Sequence, residues 1–122
     1  SAPRAPYGYV DGQLAPFGLA YLHVIEGGPG GTRAPEGKAF DYEALHRAFP
    51  GAWMLNNGYS RELAIDNIAA GKANLVAFGR PFISTPDLVR RLKDNLPLNE
   101  LQADKLYGGG AEGYTDYPAL AA

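Results

Sequence analysis

Short apolar strands alternating with amphipathic helices predict an α/β protein built on a parallel sheet. Three observations carry that class. Gly18–Ile25, Ala52–Asn56 and Asn74–Phe78 are nearly continuous apolar runs, the pattern of strands buried on both faces. Helical segments with start signals lie between them. The order strand–helix, three times over, implies parallel βαβ units. No fourth strand is legible. A closed (β/α)8 barrel takes about 250 residues. The chain has 122, so its three units are less than half of one.

The elements follow in order. Residues 1–6 read as an irregular lead-in. Residues 7–16 read as a poor helix, because Gly8 and Gly12 weaken it and Pro16 ends it. Gly18–Ile25 is the first strand, with Val24 and Ile25 β-branched. The Gly/Pro-rich stretch GGPGGTRAPEG reads as a loop. Asp41–Phe49 reads as a helix with Asp41 as N-cap and Leu45 and Phe49 on one face. Pro50-Gly51 stops it, and Ala52–Asn56 is the second strand. Asn57-Gly58 marks a turn. Ser60 caps a helix to about Ala70, with Leu63, Ile65 and Ile68 as its expected inner face and Gly71 as its stop. Asn74–Phe78 is the third strand. Ser84 or Thr85, with Pro86 and Asp87 after it, opens a last helix, DLVRRLKDN, whose start is acidic and end basic. Beyond Pro97 the chain reads as loop.

Composition narrows the function classes. The chain is 46% hydrophobic and 20% charged, an ordinary globular balance. Gly 16 and Pro 10 are high counts, concentrated in the flanks and one internal loop. The net charge of −2 and the lack of a basic stripe argue against nucleic acid. There is no cysteine, which excludes disulfides and thiolate chemistry and fits a cytoplasmic location. No apolar run of membrane-spanning length exists, and Ser1 to Pro6 lack the apolar region of a signal peptide.

Two short motifs carry candidate chemistry. Asn57-Gly58 and Gly79-Arg80 each follow a strand at its C-terminal end, where α/β folds build sites. Glycine lets backbone N–H groups approach phosphate oxygens, and Arg80 adds a bidentate donor. The competing reading is a pair of turn glycines and a surface cation. Gly108, Gly110 and Gly113 match a dinucleotide-binding spacing, but they follow no strand and open no helix. Gly31 to Lys38 resembles a phosphate loop with one residue too many and Ala39 in place of the hydroxyl residue. His23 reads as a core histidine inside an apolar strand, and His46 as a surface residue of its helix. No His/Glu cluster suggests a metal. Asp116 reads as a turn or cap residue. Tyr107, Tyr114 and Tyr117 form an aromatic tail that either packs back or lines a pocket.

Beyond spacing, FGLAYLHVIEG, NNGYSRELA, LVAFGRPFISTPDLVRRL and YGGGAEGYTDYPAL together resemble the end of the old yellow enzyme family. The nearest branch by these motifs is the bacterial one containing N-ethylmaleimide reductase and pentaerythritol tetranitrate reductase. The resemblance covers about Tyr7 to Leu120. It implies the C-terminal three (β/α) units of a TIM barrel, strands six to eight, within a single FMN-binding domain. It also implies noncovalent FMN, NAD(P)H as reductant, and reduction of activated alkenes such as enones, nitroalkenes and maleimides. By the same resemblance, Gly58 contacts the FMN phosphate with Asn57 beside it, and Gly79 and Arg80 hold the phosphate. Tyr107 lines the substrate pocket. The proton-donor tyrosine and the His pair belong to strands one to five. None has a match in this chain, so an N-terminal piece of the same barrel is the implied partner. YGYVDGQLAPFG departs from the steadier helix of relatives. A non-catalytic phosphate- or flavin-binding half-barrel, a fragment of another phosphate-binding barrel, and homo-oligomerisation stay open on the residues.

Overall fold

The computed structural model describes residues 4–27 and 40–121. The GGPGGTRAPEG loop and the Gly31–Lys38 motif fall largely or wholly outside them. The chain divides into two compact units, Ser1–Ala77 and Phe78–Ala122.

The first unit holds α1 (Arg4–Leu14), β1 (Tyr21–Ile25), α2 (Tyr42–Ala48), β2 (Ala52–Asn56), α3 (Arg61–Ala69) and β3 (Leu75–Ala77). The strands form one parallel sheet in the order β1-β2-β3. Register sets Val24 against Leu55 and Leu55 against Val76. Because strand side chains alternate between faces, Leu22, Val24, Trp53, Leu55 and Val76 share one face. Trp53 is its centre, 1% exposed. His46 of α2 stacks on the Trp53 ring at 5.1 Å, and Phe49 lies tilted at 6.3 Å. Leu63 and Asn67 of α3 border the same face, lining a cavity with Trp53 and Leu55.

Both helix starts form as their sequences dictate. The Asp41 carboxylate accepts from the Ala44 N–H at 2.9 Å, and the Ser60 hydroxyl accepts from the Leu63 N–H at 3.1 Å. Asn74 ties β3 to β2 from both sides. Its side-chain oxygen accepts from the Trp53 N–H at 2.8 Å, and its own N–H donates to the Trp53 carbonyl at 2.9 Å.

Five expectations are corrected. β1 alternates between exposed and half-buried rather than burying both faces. His23 is exposed, because among the described residues of the first unit no helix packs on its face of the sheet. The exposed Tyr21, Ile25 and Leu75 lie on that same face. His46 is half-buried on Trp53 rather than at the surface. In α3 the inward residues are Leu63, Ala64 and Asn67, while Ile65 and Ile68 are exposed. Asn67 can face inward because its amide donates to the Leu63 carbonyl at 2.8 Å. Finally, α1 begins at Arg4 and runs through both glycines. Contacts outweigh propensity there: the Tyr7 ring meets Phe40 edge-on at 5.8 Å, and Phe40 meets Tyr42 at 4.9 Å.

Asp11 of α1 is buried, and its Oδ2 has no hydrogen-bond partner. Burial raises its carboxyl above the ordinary 3.8, since desolvation disfavours the charged form. Below 3.8 the carboxyl is neutral in both folded and unfolded chains and costs nothing. As pH rises from there to the folded pKa, stability is lost. Asp11→Asn is therefore expected to flatten this loss and raise stability at neutral pH, read from urea unfolding at pH 4 and pH 7.

The second unit holds α4 (Arg80–Ser84), α5 (Leu88–Asp94), a 3-10 turn at Ala103–Lys105 and the tail. α4 was not foreseen; Pro81 sits in its first turn, where a missing N–H costs nothing. Asp87 stands at the cap position of α5 without capping it. Its carboxylate is used elsewhere. Arg91, 3% exposed, donates to Asp87 Oδ1 at 2.8 Å, to the Pro97 carbonyl at 2.9 Å, to Asn99 Oδ1 at 3.0 Å and to the Pro118 carbonyl at 2.9 Å. Asn99 in turn donates to the Ser84 and Pro118 carbonyls at 2.7 and 2.8 Å. The Leu120 N–H donates to Asp87 Oδ2 at 3.0 Å. One buried guanidinium thus joins α5, the irregular segment after it and the end of the tail.

Desolvation pushes the Asp87 carboxyl up, but the Leu120 N–H, its own backbone N–H and Arg91 together outweigh that and hold it below 3.8. Its contribution is present above 3.8 and is lost as pH falls through the lower folded value. Arg91→Ala is expected to cost about 3–5 kcal/mol, because it strands a carboxylate and several carbonyls. Arg91→Lys recovers only part, since an ammonium cannot reproduce the planar fork. Denaturant midpoints of the two variants check the order.

Candidate functional site

The parallel register pairs Asn56, the last residue of β2, with Ala77, the last of β3. Asn57-Gly58 leaves the first of these ends and Phe78-Gly79-Arg80 leaves the second. Both motifs therefore start from the C-terminal edge of one sheet, the edge at which α/β proteins form sites.

The turn after β2 is built around left-handed backbone. Asn57 has φ 109° and Gly58 φ 64°. Glycine takes such values freely, while asparagine needs support. That support is visible: Asn57 Nδ2 donates to the Glu26 carbonyl at 2.5 Å. The Glu26 N–H donates to the Asn56 carbonyl at 3.1 Å, extending the β1–β2 ladder by one bond. The buried Tyr59 hydroxyl donates to the Glu26 carboxylate. Glu26, Asn57 and Tyr59 thus clasp the ends of β1 and β2 and present Gly58, which is exposed.

In the second unit, Gly79 precedes α4 with open space where a Cβ would stand. Arg80 is exposed, and among the described residues its guanidinium has no hydrogen-bond or ion-pair partner. Tyr107 is 92% exposed. It rides on a tail loop closed at its base by the Gln102 N–H donating to the Tyr117 hydroxyl at 2.9 Å. Asp116 Oδ1 accepts from the Gly113 N–H at 2.6 Å, the turn role read from sequence. Of the residues singled out, Asn57 and Gly58 fall in the first unit, and Gly79, Arg80 and Tyr107 in the second.

Sequence reasoning missed Glu26 and Tyr59, whose partner lies 33 residues away. It also missed Asn99 and the role of Arg91. The spacing of Asp87 and Arg91, four apart on a helix, was the one available signal. Among the described residues no acidic or His cluster could hold a metal, and no helix is long and apolar enough to cross a membrane.

No protein-family model matches the chain. Curated relatives and solved structures do. 12-Oxophytodienoate reductase 7 of Oryza sativa subsp. japonica is 38% identical over 113 residues, 84% of this chain and 28% of the relative. 12-Oxophytodienoate reductase 2 of Arabidopsis thaliana is 34% identical over 121 residues, 97% of this chain and 32% of the relative. The old yellow enzyme homologue of Zymomonas mobilis superposes with a TM-score of 0.89 at 32% identity, over 98% of this chain and 34% of that one. The old yellow enzyme of Trypanosoma cruzi gives 0.87 at 35%, over 99% and 31%. The fold is therefore a piece of a (β/α)8 barrel, spanning about a third of the relatives it matches. The chain belongs to the old yellow enzyme family and matches its C-terminal part.

Asn57→Ala is expected to cost about 1 kcal/mol or more, since it deletes the bond to Glu26 and leaves a Cβ at φ 109°. Asn57→Gly loses the bond but relieves the backbone, so it falls between the two. Thermal midpoints of both variants test the ranking.

Proposed function

We propose that this chain supplies the phosphate end of the flavin site and one wall of the substrate pocket in an FMN-dependent ene-reductase that draws electrons from NAD(P)H. The observation that carries the reading is the placement of Gly58 and Gly79-Arg80 beyond the C-terminal ends of β2 and β3, in a chain that matches old yellow enzymes over nearly its whole length. Within the second unit the donors suit a phosphate: the N–H of Gly79, with open space at its Cβ position, and the exposed Arg80 guanidinium, able to make a charge-assisted pair.

When bound, FMN would supply hydride to the β-carbon of an activated C=C bond. The residues of this chain hold and shape. Gly58 and Gly79 offer N–H donors to the phosphate, Asn57 holds the Gly58 turn through Glu26, and Arg80 neutralises phosphate charge. Tyr107 lies against the alkene. The proton donor and the pair that polarises the carbonyl or nitro group belong, by family resemblance, to strands one to five, on an N-terminal piece of the same barrel. The exposed apolar residues on one face of the sheet support that partner. Tyr21, Ile25 and Leu75 are 50%, 70% and 42% exposed there, and an apolar face of this kind asks for cover.

Co-expression with a polypeptide spanning strands one to five tests the proposal. The expected result is a yellow complex that reduces maleimides or nitroalkenes with NAD(P)H. Arg80→Ala in that complex is expected to weaken FMN retention at least about tenfold, the worth of one charge-assisted bond. Unchanged FMN affinity, measured by flavin fluorescence on dilution, removes Arg80 from the role.

A further inference from the structure

Tyr107 has nothing of its own to hold its ring in place at 92% exposure. Its position is set by the backbone that carries it. That backbone is an arm of two limbs, closed at the base by Gln102 and Tyr117 and turned at the tip by Gly108 and Gly109, with φ of 83° and 90°. Between base and tip the limbs touch. A Cβ built on Gly113 would stand 2.3 Å from the Lys105 Cβ, and Gly113 has φ 70°. No side chain fits there without parting the limbs. Beside this contact the Lys105 ammonium meets Glu112 Oε1 at 2.8 Å. This crossing lies two residues before Tyr107, so only a short tip is left free.

We propose that Gly113 and the Lys105–Glu112 pair are positioning residues: they lock the arm so that Tyr107 meets substrate already in place. The inference rests on Tyr107 being a pocket wall. The limb contact through Gly113 is the main restraint, because an exposed ion pair alone contributes little. The ion pair keeps the limbs in register. A tip whose backbone is fixed beforehand spares the loop-ordering part of the cost of binding, roughly a two- to tenfold effect on affinity.

The test uses the FMN-loaded complex of this chain with the strand one-to-five piece. Gly113→Ala is expected to raise KM for the alkene roughly two- to tenfold with kcat and FMN content unchanged. Glu112→Gln raises KM less, and the charge swap Lys105→Glu with Glu112→Lys returns it toward the parent value. A purely structural role would lower FMN content and kcat together and would not be rescued by the swap. Tyr107→Ala is the reference. If it raises KM while Gly113→Ala and Glu112→Gln leave KM at the parent value, the locking role is overturned and the pocket reading stands. If Tyr107→Ala leaves KM unchanged, the pocket reading falls and this inference with it. Should Gly113→Ala fail to assemble, Glu112→Gln and its swap decide the matter on the same KM criterion.

Discussion

Burial of Trp53 is the constraint around which the first unit is arranged. Its indole sits in the middle strand of three, capped by the His46 ring and flanked by Phe49. Seating that one side chain requires α2 on a particular face of the sheet. Leu55, two residues on, extends the same face and is 3% exposed. With helices gathered there, both crossovers return the chain to the same end of the sheet. The strands then run parallel, and their C-terminal ends share one edge. The start of the Gly58 turn at that edge thus follows from a packing requirement on the helix-bearing face of the sheet.

The second unit solves a different problem. It has short helices and a long irregular tail, so little apolar surface is available to hold it. Arg91 takes the place of a core. Its planar fork satisfies carbonyls that a loop would otherwise leave bare, and each partner is itself held: Asp87 by the Leu120 N–H and Asn99 by the Ser84 and Pro118 carbonyls. Buried charge is costly unless paired and hydrogen-bonded, and Arg91 is paired with Asp87 and makes four hydrogen bonds.

Local information was read well and distant information was not. β2 ends where its apolar run ends, and Asp41 and Ser60 cap helices because a cap depends on residues three apart. The rotation of α3 was misjudged, since Ile65 and Ile68 look more core-like than Asn67 until Asn67 is seen bonded to Leu63. α1 was underrated because Tyr7 meets Phe40, 33 positions away. At the site, the glycines and Arg80 stood out as motif residues. The Glu26–Asn57–Tyr59 clasp did not, because its members come from two strand ends brought together only by pairing. The Arg91 network spans up to 33 residues in sequence and leaves no periodic trace.

The strand order has a further consequence. β1 and β3 are the outer strands, and among the described residues each has one edge without a neighbour in the sheet. In a closed ring those two edges belong to different neighbours at opposite ends of the remaining arc. Any polypeptide that completes the ring must therefore grip this sheet twice. The first grip converts the second into an intramolecular event, governed by effective concentration rather than by dilution. Assembly of such a split barrel would be all-or-none, with tolerance for a weak contact at either seam as long as the arc between them keeps its length.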